Sequence, residues 1–234
     1  MKTIGIVGGL SPESTAWYYQ RIIECHRERA GDQRYPRILV ASVCFEEFLD
    51  LQQAGRWDEL AARLSQEILL LERAGADFTL IASNTPHKVA AQLQHARPFF
   101  SILDAAAAAA RKRGIARVGL TGTMYTMSDG FYADGLKARG IESVLPEPRE
   151  RGAIHRLIFG ELVRGKASAA GRAEFDAVAR ALMKRGAEAI LLGCTELTHL
   201  TQPAPEWPFI DTAREHAEAA WRIAAGEENL AGLG

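Results

Sequence analysis

Two segments share one plan: Gly75-Ala76-Asp77-Phe78-Thr79-Leu80-Ile81-Ala82-Ser83 and Gly186-Ala187-Glu188-Ala189-Ile190-Leu191-Leu192-Gly193-Cys194. Each opens on a glycine just after a helical pattern, where a left-handed helix end is wanted. Each then passes an alanine and a carboxylate, runs through a short apolar stretch, and ends eight residues on at a nucleophilic side chain. The apolar stretches read as buried strands, and the helical patterns before them make each segment the second half of an αβ unit.

Outward from these segments the likeness continues. Upstream, Ile4-Gly5-Ile6-Val7-Gly8-Gly9 matches Val118-Gly119-Leu120-Thr121-Gly122-Thr123, with two glycines three apart at a strand end. From Gly5 to Ser83 is 78 residues, and from Gly119 to Cys194 is 75. Downstream, Ser83-Asn84-Thr85-Pro86-His87 faces Cys194-Thr195-Glu196-Leu197-Thr198-His199, and Pro98-Phe99-Phe100 faces Pro208-Phe209-Ile210. Agreement in the order and interval of separate landmarks argues against chance likeness between αβ units.

The whole pattern alternates. Strands are predicted over 3–8, 37–44, 77–82, 99–102, 117–121, 142–145, 188–193 and 208–210. Helices are predicted over 13–30, 56–74, 86–96, 104–113, 129–139, 149–164, 170–185 and 212–225. Alternating βα order implies parallel strands with helices on both faces. The expected fold is α/β, with two pseudo-symmetric lobes that are each a four-stranded parallel sheet. Lobe one is expected over 1–101 with 211–234, and lobe two over 102–210. Ligands of open α/β sheets bind at the carboxyl ends of the strands, so Ser83 and Cys194 are expected to face one site between the lobes.

Composition narrows the function. The chain has 234 residues, 47% hydrophobic and 24% charged, with a formal net charge of -1. No basic face dominates, which argues against nucleic acid as a partner. No apolar run approaches a membrane span, and Met1 to Leu10 is too short and too glycine-rich for a signal peptide. Cys25, Cys44 and Cys194 are few, odd in number and widely spaced, which fits a reducing cytosol. No paired Cys or His spacing suggests a metal.

Cys194 is the best candidate for chemistry. A strand-to-helix turn offers backbone N–H groups that lower a thiol pKa. A cysteine after a strand is by itself more often inert packing; the repeat and the polar Thr195-Glu196 pair favour the reactive reading. Ser83 holds the matching place, where it could relay a proton or simply cap a helix. Asn84, Thr85 and Thr195 could hold a carboxylate or cap the same helices. His87 and His199 could orient these neighbours, though a lone helical histidine is more often structural. The stretch Gly8-Gly9-Leu10-Ser11-Pro12 lacks dinucleotide spacing and a Walker lysine; it reads equally as a small-anion site or as a tight turn with a capped helix. Lys166 could pair with a substrate carboxylate or a helix end, and Arg111-Lys112-Arg113 reads as a solvated face. Trp17, Tyr18, Tyr19 and Cys25 read as packing, and Cys44 as a weaker second thiol.

The run Ile4 to Thr15 resembles the opening of aspartate/glutamate racemase family members. Asn84-Thr85 before His87 resembles the family's first signature, and Leu192-Gly193-Cys194-Thr195-Glu196-Leu197 its second. Gly122-Thr123-Met124-Tyr125-Thr126-Met127 is similar to a segment of the amino-acid racemase branch. The resemblance implies catalysis without pyridoxal phosphate or metal, usually by two cysteines. One thiolate takes the α-proton and the other, as thiol, returns a proton to the opposite face. Carried over by position, Ser83 and Cys194 are the acid/base pair. Leu10, Gln52, Asn84, Thr85, Lys166 and Thr195 fall where relatives contact substrate. A cytoplasmic homodimer with a small amino-acid substrate is implied. Ser83 departs from the expected cysteine, which implies asymmetric turnover. It also leaves two rivals: a single-cysteine relative of the arylmalonate decarboxylase type, and a degenerate amino-acid binding protein.

Overall fold

The computed structural model describes residues 1–201 and 205–230. The chain divides into two compact units, Met1–Ile102 with the C-terminal segment from Ala213, and Leu103–Thr212.

In the first unit the strands are β1 (Ile4–Gly8), β2 (Ile38–Ser42), β3 (Phe78–Ile81) and β4 (Phe99–Phe100). They form a parallel sheet in the order β2-β1-β3-β4. In the second unit β5 (Arg117–Gly122), β6 (Glu142–Val144), β7 (Ala189–Gly193) and β8 (Phe209–Asp211) form a parallel sheet in the order β6-β5-β7-β8. The two orders are the same, so the repeat seen in the sequence is a repeat of topology. β1 and β7 are buried along their whole length, as central strands covered on both faces must be. All eight strands match the sequence expectation to within a few residues.

The α-helices are α1 (Pro12–Arg29), α2 (Phe45–Gln53), α3 (Trp57–Arg73), α4 (Ile102–Lys112), α5 (Met124–Ser128), α6 (Phe131–Lys137), α7 (Pro148–Gly160), α8 (Ala169–Lys184) and α9 (Thr212–Ala225). On α3 the apolar residues Leu60, Leu64, Ile68 and Leu71 recur every three or four positions and are buried, which turns one helical stripe onto the sheet. Gly5 and Gly119 are matching close approaches. A Cβ on Gly5 would lie 2.9 Å from the Ala76 Cβ, and one on Gly119 would lie 3.0 Å from the Leu182 Cβ. Only glycine lets the covering segment pack so tightly against the strand.

Three helical expectations are corrected, and two helices lie outside them. α2 and α5 were not expected. The segment expected as one helix over 129–139 is α6 alone, preceded by Gly130 at φ +81°. The helix expected over 149–164 stops at Gly160; Glu161 leaves helical geometry, and a 3-10 turn Leu162–Arg164 ends at left-handed Gly165. The helix expected over 86–96 is a 3-10 helix, Thr85–Gln92. Beyond it the backbone is captured by α3: Gln94 N–H donates to Ser65 Oγ at 3.0 Å, and Ala96 and Arg97 N–H donate to the Glu72 carboxylate. Tertiary hydrogen bonds override the local helical pattern there.

Candidate active site

In the first unit the candidate residues leave the carboxyl edge of adjacent strands. Val7 of β1 is in register with Ile81 of β3, so the turn carrying Leu10 and the turn carrying Ser83, Asn84 and Thr85 emerge side by side. Leu10, Asn84 and Thr85 are buried, and Ser83 is half-buried. Gln52 lies half-buried near the end of α2.

The glycine turn before α1 satisfies itself. Gly9 N–H donates to Thr15 Oγ1 at 2.8 Å, Thr15 Oγ1 donates to the Ser11 carbonyl at 2.9 Å, and Ser11 Oγ accepts from Ser14 N–H at 3.3 Å. This geometry supports the capped tight turn over the anion site.

His87 is buried and its tautomer is fixed. Its Nε2 accepts from Ile102 N–H at 3.1 Å, so Nδ1 carries the hydrogen and donates to the Ser83 carbonyl oxygen at 2.9 Å. His87 therefore holds the Ser83 backbone rather than activating its hydroxyl. The cap expected at Ser83 falls instead on Asn84, which stands at the N-cap position and makes no side-chain cap bond.

In the second unit Gly122 of β5 is in register with Gly193 of β7. The turn at Thr123 and the turn at Cys194 thus share one sheet edge. Thr123 caps α5 through the Thr126 N–H. Cys194 follows β7 directly and precedes a 3-10 helix, Thr195–Thr201. The 3-10 turn Leu162–Arg164 packs on that helix, which brings exposed Lys166, just beyond Gly165, toward the same end of the unit.

Cys194 is 7% exposed and lies in the apolar cluster with Met127, Leu192 and Leu197. Its Sγ–H donates to Glu196 Oε2 at 2.9 Å, and Thr195 Oγ1–H donates to the same oxygen at 2.8 Å. Burial pushes the thiol well above its ordinary pKa and the Glu196 carboxylate pushes it further; the N–H groups of Glu196 and Leu197 pull the other way and are outweighed. The lowered pKa expected from the turn is thereby overturned, because burial and a neighbouring carboxylate both penalise a thiolate. Glu196 was read in the sequence as polar context, not as a partner of the sulfur. A carboxylate two residues beyond the thiol was the available signal.

The repeat corrects a second pairing. His87 matches Thr198, not His199. Both lie four residues after Ser83 or Cys194, and both tie their 3-10 helix to the chain at or just beyond the end of the next strand. Thr198 Oγ1 does so by donating to buried Asp211 at 2.8 Å. His199 is exposed.

Among the other candidates, Cys25 is buried in α1 with its thiol pushed up to about 11 by burial, and Cys44 is exposed ahead of α2. Tyr18 is buried, whereas Tyr19 is 49% exposed and is not packing. Arg111 and Arg113 do not form a purely solvated face: they donate to the Arg139 and Phe209 carbonyls at 3.0 and 2.8 Å. Among the described residues, no three His, Cys, Asp or Glu side chains are grouped as a metal site would need. No described helix is long and apolar enough to cross a membrane.

A family model described as Asp/Glu/Hydantoin racemase matches residues 7–220. The chain belongs to this family. Among curated relatives of this racemase family, it is 27% identical over 172 residues to a glutamate racemase of Desulforudis audaxviator (strain MP104C), a match covering 70% of this chain and 62% of that protein. It is 26% identical over 160 residues to the broad specificity amino-acid racemase RacX of Bacillus subtilis (strain 168), covering 66% and 69%. Among solved structures, an aspartate racemase homologue from Pyrococcus horikoshii OT3 is 35% identical, with a TM-score of 0.85 over 96% of this chain and 100% of that one. The Picrophilus torridus aspartate racemase, at 23% identity and a TM-score of 0.74 over 96% and 95%, shares the fold.

Proposed function

We propose that the chain is a cofactor-independent amino-acid racemase acting on aspartate or glutamate. The observation that carries the proposal is the matched placement of Ser83 and Cys194. Each stands just beyond the third strand of a sheet with the same strand order. One nucleophilic side chain from each half is what proton transfer on two faces of a carbon requires.

In this reading, Cys194 as thiolate takes the α-proton from one face, and the Ser83 hydroxyl returns a proton to the other. The reverse direction needs Ser83 as the base, and a serine hydroxyl is a far weaker acid than a thiol. Turnover at saturation is therefore asymmetric: one enantiomer has the higher kcat and, because enantiomers are equal in free energy, a proportionally higher KM. Leu10, Gln52, Asn84, Thr85 and Thr195 contact the substrate, and Lys166 pairs with its side-chain carboxylate. The enzyme works in the cytoplasm as a homodimer.

The test is chiral chromatography of aspartate and glutamate incubated with the protein and no added cofactor. Interconversion that disappears in Cys194→Ala is expected; undiminished interconversion in that variant would remove Cys194 from the mechanism. The hydroxyl at Ser83 favours one second reading, a one-thiol reaction that protonates the enediolate left by decarboxylation of a malonate. Carbon dioxide release without racemization would mark it.

A further inference from the structure

We infer that Glu196 is a positioning residue that shares one proton with Cys194, an inference that rests on the racemase reading. Oε2 of Glu196 receives both the Cys194 Sγ–H and the Thr195 Oγ1–H. Thr195 thereby aims the carboxylate at the sulfur. The sulfur is packed among apolar side chains, where a bare thiolate is costly, yet proton abstraction needs that thiolate.

The geometry supplies the proton acceptor. The S–H bond breaks as an O–H bond forms on Oε2, and the pair carries one negative charge before and after. One protonation state of the pair therefore offers both a thiol that returns a proton and a thiolate that takes one. Of the other charged or titratable groups on the elements packed around this turn, Lys166 and His199 are exposed, and three are engaged elsewhere. Arg164 donates to the Gly160 carbonyl, Arg172 donates to the His199 carbonyl, and Asp211 accepts from Thr198.

The test has a substrate-free arm and a turnover arm. Alkylation of Cys194 by iodoacetamide, followed across pH by mass spectrometry of its peptide, is compared in the native chain and in Glu196→Gln. Removing the carboxylate should lower the alkylation midpoint and raise the rate at pH 7.5 by about tenfold or more. Glu196→Asp, which keeps the charge, should move the profile only part of the way, and carries the test if the glutamine variant does not fold by circular dichroism. In turnover, the native protein should show one pH plateau for both directions. In Glu196→Gln the kcat of the direction using Cys194 as base should rise with pH while the kcat of the other falls, kcat/KM staying equal in the two directions. An alkylation profile unmoved in Glu196→Gln overturns the inference even if racemization is robust. A native alkylation rate that levels off below its midpoint, with that plateau lost and the midpoint lowered in Glu196→Gln, upholds the shared proton even if no amino acid turns over, in which case the racemase reading alone fails. A lowered midpoint with no native plateau marks charge repulsion alone and overturns the inference.

Discussion

A thiol and a hydroxyl at equivalent strand ends differ by several orders of magnitude in acidity, and that difference dominates the chemistry expected here. It was readable from the sequence, because the eight-residue interval from glycine to nucleophile occurs in both halves. The electrostatics of the thiol were not readable. Burial of Cys194 depends on packing from distant parts of the second unit, and that burial outweighs the local backbone N–H groups. Ser83→Cys should make the two directions more equal. The slower enantiomer should gain roughly tenfold or more in initial rate at saturating substrate, with little change in the faster one. Initial rates from each enantiomer check this, and an unchanged ratio would mean that Ser83 is not the second acid/base.

Elements were legible where one physical signal dominated. Continuous apolar runs identify the fully buried strands β1, β3 and β7, and the three-four spacing of Leu60, Leu64, Ile68 and Leu71 identifies α3. α2 was missed because only Phe48 and Leu51 are buried along its nine residues. The end of the 3-10 helix after Ser83 was missed because Ser65 and Glu72 of α3 decide it, some thirty and twenty-odd residues away in sequence. The β1–α1 turn gives a sharp test of such tertiary control. Gly9 has φ +84°, and a Cβ there would lie 2.2 Å from the Val43 carbonyl oxygen; Gly55 has φ +69° with open space around it. Gly55→Ala should cost about 1 kcal/mol from backbone strain alone. Gly9→Ala should cost roughly 3 kcal/mol or more, because strain and collision add. Urea denaturation measures both, and equal costs would show that the Val43 backbone yields freely.

At the scale of the whole chain, the C-terminal segment returns to the first unit and is tied down by a buried histidine. His216 Nε2–H donates to the Phe100 carbonyl at 3.0 Å, and Nδ1 accepts from the Tyr18 hydroxyl at 3.0 Å. Burial, with a smaller contribution from His87, lowers its pKa from 6.5 to about 3. The unfolded chain therefore takes up this proton near pH 6.5, while the folded chain resists until about pH 3. Its contribution to stability is complete above pH 6.5 and is lost as pH falls toward 3, at up to about 1.4 kcal/mol per pH unit. Denaturation series between pH 4 and 7 should show this slope in the native chain and a shallower one in His216→Gln. Identical slopes would mean that the ring is protonated in the folded state.

The central claim is proton transfer at an α-carbon by Cys194, and solvent-deuterium incorporation followed by NMR tests it most directly. Each enantiomer of aspartate and glutamate is incubated in D2O with the native chain and with Cys194→Ala, without added cofactor. The account predicts exchange of the α-hydrogen in the native protein, biased toward one enantiomer, and its loss in Cys194→Ala. No exchange with any of the four substrates, or equal exchange in the two proteins, would contradict it.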